Sequence, residues 1–205
     1  MVKDLARTSK KIKKSQRVAS NKKGEVRIIA GEFRGRKLPV LNAEGLRPTS
    51  DRVRETLFNW LQFDIVGRNA LDVFAGSGVL GFEALSRGAK HVTMLELDRK
   101  NYQQLIENKH QLKIENLTLH NLNALDFLNN PAPQTFDIVF LDPPFNQGLM
   151  LKTIELLFKN NWLSNNSLLY IEQENSLAWE RLPEGWVCKK EKQTSQVKFG
   201  LFYYG

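Results

Sequence analysis

The sequence predicts an α/β fold, a mostly parallel sheet with helices on both faces. Three observations carry that expectation. From Asn69 onward, short apolar runs alternate with segments of helical spacing, the rhythm of successive βαβ units. A strand, glycine turn and helix are written into Leu71-Asp72-Val73-Phe74-Ala75-Gly76-Ser77-Gly78-Val79-Leu80-Gly81 at the start of that rhythm. Finally, Asp142-Pro143-Pro144-Phe145 follows directly on the apolar run Phe136–Leu141. Prolines lack the N–H and fix φ, so the chain must leave the sheet there, at the carboxyl edge where open α/β sheets bind ligands.

The elements follow in order. Val26–Ala30 and Arg36–Val40 flank Gly31-Glu32-Phe33-Arg34-Gly35, the pattern of a β-hairpin, and Pro39 suits an edge strand. Thr49, Ser50 or Asp51 can cap a helix over about Asp51–Gln62, in which Val53, Leu57, Trp60 and Leu61 recur at helical spacing. Strands are predicted at 69–74, 91–96, 117–121, 136–141 and 167–172. Helices are predicted at 79–87, 99–112 and 149–159, with a short one at 124–129. Trp186–Glu191 and Val197–Tyr203 form two β-rich runs around Lys192–Gln196, an antiparallel hairpin added to the sheet edge.

Composition narrows the function. Hydrophobic residues make up 41% of the 205, enough for a core, and no apolar run approaches the ~20 residues that span a bilayer. One cysteine, Cys188, excludes an internal disulfide and a multi-cysteine metal site, and the three histidines lack ligand-like spacing. A cytoplasmic protein without membrane or metal is expected. The charge is concentrated: Met1–Arg27 holds ten Lys/Arg and two Asp/Glu, whereas the remainder holds twenty of each. Such a tail is expected to be disordered in isolation and either to solubilise the chain or to contact a polyanion's phosphates without sequence choice.

The glycine passage admits two cofactors. Gly76 and Gly78 let backbone approach a ligand, and Gly81 lets the helix pack near its strand. Glu96 ends the next strand, where a carboxylate can take both ribose hydroxyls. A dinucleotide's pyrophosphate suits a bare helix N-terminus. Asp72, however, lies just before the turn, and its charge would repel a pyrophosphate while attracting an ammonium group. S-adenosylmethionine, with its amino group, sulfonium and ribose, matches Asp72, the glycine amides and Glu96 better. Asn123-Ala124 can meet the adenine amine, although Asn123 is equally placed to cap the helix that follows it. In the acidic proline corner, acceptors stand beside a stacking ring, which suits a planar group carrying an exocyclic amine.

This order of elements resembles the class I S-adenosylmethionine-dependent methyltransferases, and the Asp-Pro-Pro-Phe corner resembles the subgroup acting on exocyclic or amide nitrogens. Arg27–Gly31, Arg34–Pro39, Leu46–Leu61 and Phe74–Gly78 are similar to the RsmD family, bacterial methyltransferases that modify N2 of one guanine in small-subunit (16S) ribosomal RNA. The likeness covers about Val26–Tyr203. It implies a seven-stranded sheet with an antiparallel final hairpin. It implies a cofactor pocket lined by Asp72, Phe74, Gly76, Ser77, Gly78 and Glu96, and it places Asp142, Pro143, Pro144 and Phe145 at the target base. Asn123 stands where many relatives have Asp. The division implied is a basic tail over 1–25, a hairpin and helix extension over 26–64 and a methyltransferase domain over 65–205.

Arg34, Arg36, Lys37, Arg47, Arg52 and Arg54 are expected to form an RNA-facing surface beside the cofactor mouth. Ion pairs of Arg52 or Arg54 with Asp51 or Glu55 are the alternative for single members of the set. The expected partner is ribosomal RNA, naked or within the assembled small subunit, acted on by a monomer. Two rivals remain on sequence grounds: an adenine-N6 DNA methyltransferase, which shares the acidic corner, and a non-catalytic RNA-binding assembly factor on the same fold.

Overall fold

The structure, a computed structural model, describes residues 23–41, 50–145, 147–179 and 182–204. Strands β1 (Lys23–Arg27) and β2 (Lys37–Leu41) pair antiparallel, with Arg27 opposite Lys37 and Lys23 opposite Leu41. β1 thus begins three residues before the expected hairpin and takes in 23–25, assigned above to the tail. Helix α1 (Asp51–Trp60) is capped by Ser50, whose hydroxyl accepts from the Val53 amide at 3.3 Å.

A seven-stranded sheet follows, built from β3 (Asn69–Asp72), β4 (His91–Glu96), β5 (Leu117–Asn121), β6 (Phe136–Leu141), β7 (Leu163–Glu174), β8 (Trp186–Gln193) and β9 (Val197–Tyr204). Its order is β5-β4-β3-β6-β7-β9-β8. Five strands are parallel, and β9 runs antiparallel to both β7 and β8. The helices are α2 (Val79–Ser86), α3 (Arg99–Leu112), α4 (Ala124–Leu128) and α5 (Leu149–Lys159). β7 starts four residues earlier than predicted. Ser164-Asn165-Asn166-Ser167 reads as a turn, yet this stretch joins the sheet through a register shift between Phe136 and Ile138, and Ser164 donates to Asp137.

Side chains alternate across the sheet, giving two cores. Ile138, Phe140 and Tyr170 pack toward α1, α2 and the hairpin, while Val139, Leu141 and Ile171 pack toward α4 and α5. Gly81 permits α2 to lie close to β4: a Cβ there would sit 2.2 Å from Met94 Cε.

The N-terminal hairpin is fastened to α2 by one fully buried acid. Glu83 accepts the Ile29 and Ala30 amides at 2.9 and 3.1 Å, binds Arg87 at 2.8 Å and lies 3.7 Å from Arg54. Arg54 is 1% exposed and also donates to the Arg27 carbonyl and to Asp51. Ser86 continues the seam by accepting the Glu32 and Phe33 amides and donating to the Ala30 carbonyl. Gly31 sits so close that a Cβ would fall 1.7 Å from the Ser86 carbonyl oxygen. A buried acid serving two guanidiniums and two amides cannot be removed without stranding charge. Glu83→Ala is expected to lower stability by ~3–5 kcal/mol, measured by urea unfolding.

Candidate active site

The strand order reverses between β3 and β6, which are hydrogen-bonded neighbours with Asp72 opposite Phe140. Loops leaving these two strands diverge and open a crevice at the carboxyl edge. A cavity of about 720 Å³ lies there. Asp72, Phe74, Gly76, Ser77, Glu96, Asn123 and Ala124 line one part of it, and Asp142, Pro143, Pro144 and Phe145 line another. Two sets of residues read separately from the sequence therefore share one space.

On the first side, the glycine loop folds over the end of β4. Gly76, at φ +53°, donates its amide to Glu96 Oε2 at 2.7 Å, and Glu96 Oε1 accepts from the Asp98 amide at 2.7 Å. Each oxygen thus has one backbone partner, and Asn101 adds a side-chain hydrogen bond to the carboxylate. Burial raises the Glu96 carboxyl above its ordinary range. Asn123 caps α4, accepting the Leu125 amide at 2.8 Å, and it also borders the cavity. Gly78 departs from expectation. It is buried, with φ +75°, and does not line the cavity; a Cβ there would press on Leu105 and Phe82. It stands between Ser77 and Val79, which line the cavity, and its missing side chain serves the turn and the packing against Leu105 and Phe82.

Asp72 is 2% exposed and accepts the Gly81 amide at 3.2 Å. Its pKa is raised to about 7, first by burial and then by repulsion from Asp142, with Glu96 adding to it. Such a group gains most from a cation placed against it.

On the second side, Pro143 is buried, while the Phe145 ring at the mouth is 38% exposed. Arg52 and Thr56 of α1 face the same space. So do Glu172 of β7, Lys192 and Gln193 at the end of β8 and the turn 194–196 before β9, none of which the sequence marks as a site. Thr194 stiffens that turn, its hydroxyl accepting the Gln196 and Val197 amides. A buried strand ending Leu168-Leu169-Tyr170-Ile171-Glu172 carried the available signal for Glu172, an acid at a carboxyl edge.

The arginine set divides. Arg52 is exposed at the cavity mouth. Arg54 is buried against Glu83, so the RNA contact expected of it gives way to a structural role. Arg34, Arg36 and Lys37 are exposed but do not line the cavity. The Arg36 guanidinium donates to the Gln111 carbonyl at the C-terminal end of α3, and the hairpin loop rests on Ser86 at the end of α2. These ends lie away from the carboxyl edge, so the three residues do not border the mouth as expected. Arg47 lies outside the described residues, as does the tail before Lys23. Lys23 pairs with Leu41 at the other end of the hairpin; β2 climbs α3 from Gln111 past Asn108, which holds the Pro39 carbonyl, toward the carboxyl edge. Among the described residues, no helix is long and apolar enough to cross a membrane, and no His/Cys/Asp/Glu group could hold a metal ion.

Five parallel strands, an order that reverses beside a glycine loop and an inserted antiparallel last strand define the class I methyltransferase fold. The family model described as Conserved hypothetical protein 95 matches residues 26–203, and the chain belongs to that family, the RsmD family. "Ribosomal RNA small subunit methyltransferase D" of Haemophilus influenzae is 56% identical over 185 residues, covering 89% of this chain and 95% of that protein. The solved structure of yhhF from Escherichia coli is 49% identical, covers 88% of this chain and 98% of that one, and superposes with a TM-score of 0.82. A more distant structure, SMU.776 complexed with SAH, shares the fold at 16% identity and a TM-score of 0.62, over 82% of this chain and 54% of that one.

The raised pKa of Asp72 makes stability depend on pH. Between its ordinary value of 3.8 and about 7 the folded state holds a proton that the unfolded chain releases, so stability falls as pH rises across that interval. Asp72→Asn removes this penalty. In ligand-free protein it is expected to be more stable than the parent at pH 8, by on the order of 2 kcal/mol. The difference should shrink toward pH 4, measured by thermal unfolding across pH.

Proposed function

We propose that the protein transfers a methyl group from S-adenosylmethionine to the exocyclic N2 amine of one guanine in small-subunit ribosomal RNA. The observation that carries this reading is the single cavity joining buried Asp72 to the Asp142-Pro143-Pro144-Phe145 corner. The relative named as a ribosomal RNA small subunit methyltransferase, at 56% identity, supports the substrate class, and the SAH in a protein of the same fold supports the donor.

The residues present fit that donor. Asp72 suits its ammonium group, the Glu96 carboxylate suits the ribose hydroxyls, and Asn123-Ala124 border the space left for adenine. When bound, it supplies an electrophilic methyl group on a sulfonium. A guanine N2 amine is a weak nucleophile because its lone pair is delocalised into the ring. Asp142 and the Pro143 carbonyl, accepting its two N–H groups, favour a pyramidal nitrogen and aim its lone pair along the line of transfer. The Asp142 charge also stabilises the positive charge that develops on nitrogen. No strong base is required, since the methylated ammonium product is acidic and readily loses its proton. Phe145, exposed at the mouth, can stack on a base withdrawn from its helix or loop and offset the stacking it has lost.

RNA affinity comes from phosphate contacts that carry no sequence choice. Arg52 sits at the mouth, and the basic segment ahead of Lys23 joins the hairpin at its carboxyl-edge end. The hairpin and α1 act in this reading as an RNA-guiding extension of the methyltransferase domain.

Transfer of labelled methyl to small-subunit RNA, and not to DNA, tests the function as a whole. Asp142→Ala is expected to lower kcat by ~10²–10³, the scale for losing one preorganised polar partner, while donor affinity measured by calorimetry stays within a few-fold. Removal of residues 1–22 is expected to weaken RNA binding and flatten its dependence on salt, leaving donor affinity unchanged. A salt titration of RNA binding measures both.

A further inference from the structure

Glu172 is a buried acid for which the mechanism above has no use. It is 4% exposed, lies two residues before the carboxyl end of β7 and lines the cavity. Leu141 pairs with Ile171 at the end of that parallel ladder, and Asp142 and Glu172 are the residues that follow them, both lining the cavity. The fully buried Tyr170 donates its hydroxyl to Glu172 Oε2 at 2.7 Å, which fixes the carboxylate from below. A second acid next to Asp142 is costly, because two like charges in a buried site repel. Packing alone would be served better by an apolar residue at this position.

We infer that Glu172 is the specificity-determining residue that accepts the ring N1–H of the target guanine while Asp142 and the Pro143 carbonyl hold its N2 amine. The inference rests on the guanine-N2 reading. Guanine offers three donors along one edge, two on N2 and one on N1, and two adjacent carboxylates with one carbonyl match them. Adenine offers a lone pair at N1, which would face a carboxylate with no proton between them. Glu172 thereby rejects adenine at an Asp-Pro-Pro-Phe corner that could otherwise hold its N6 amine. A site built around such a donor discriminates strongly against an analogue lacking it, because a buried carboxylate oxygen then faces the ring lone pair with no proton between them.

2-Aminopurine tests this directly, since it keeps the N2 amine and lacks the N1 proton. Small subunits are reconstituted with RNA carrying either guanine or 2-aminopurine at the target position, and kcat/KM for methyl transfer is measured on each. The parent protein is expected to favour guanine by at least ~10²-fold. Glu172→Gln, whose amide can donate to a bare N1, is expected to narrow that ratio by at least ~10-fold while donor affinity is unchanged. Equal use of the two bases by the parent overturns the role of Glu172 and leaves the guanine-N2 function standing, and this arm needs no variant to fold. A variant that slows both substrates alike, with the ratio preserved, shows a structural role and also overturns it. Failure of the parent to methylate the guanine-bearing subunit overturns both readings.

Discussion

Acidic side chains converge on one edge of the sheet. Asp72 ends β3, Asp142 follows β6, Glu172 lies near the end of β7 and Glu96 ends β4, and all four line the same cavity. Their mutual repulsion and burial show in the Asp72 carboxyl, raised to about 7, and in the Tyr170 hydroxyl, raised by burial and by Glu172 and Asp142. A fold tolerates such an arrangement at a cost in stability, and the cost is offset when cationic and hydrogen-bond-donating ligands enter. In the proposed function the two parts of the cavity divide that work. Asp72 and Glu96 suit an ammonium and a ribose, and Asp142 with Glu172 suits the donor edge of a base.

The framework around this edge keeps it open and shaped. β3 and β6 are neighbours at the point where the strand order reverses, so their loops part without any special residue. Two prolines then prevent the chain after β6 from continuing the ladder. On the α1 face, the Glu83 cluster holds the hairpin against α2 and anchors Arg54. That anchoring sets the first turn of α1, and with it Arg52 and Thr56, over the cavity mouth. Stability and site geometry are thus connected through one buried ion cluster, although Glu83 itself does not line the cavity.

Most of the parallel sheet was legible in the sequence because buried parallel strands read as short apolar runs between glycine and cap signals. β4, β5, β6, α3 and α5 begin and end where the pattern placed them. The acidic corner and Asp72 were legible for a related reason: charge or proline at the end of an apolar strand is costly unless it serves a site. The sequence was silent where tertiary contact decides. Arg54 looks like its exposed neighbour Arg52, and only the helical turn tells them apart, since Arg54 shares the inward face with Leu57 and Phe58. The four polar residues 164–167 resemble a turn, but Phe136 pairs with Leu163 before them and Ile138 with Leu168 after them, which carries the stretch into β7. The end of β8 and the turn 194–196 reach the cavity only because β9 inserts between β7 and β8, a crossing that local pattern does not encode. Gly78 carries the glycine signal of a ligand loop yet spends its missing side chain on packing.

A crystal structure with S-adenosylmethionine bound tests the central claim most directly. The account expects the amino group against Asp72, the ribose on Glu96 and the sulfonium methyl directed at the space between Asp142 and Phe145. A donor seated elsewhere, or with its methyl turned away from that corner, would contradict it.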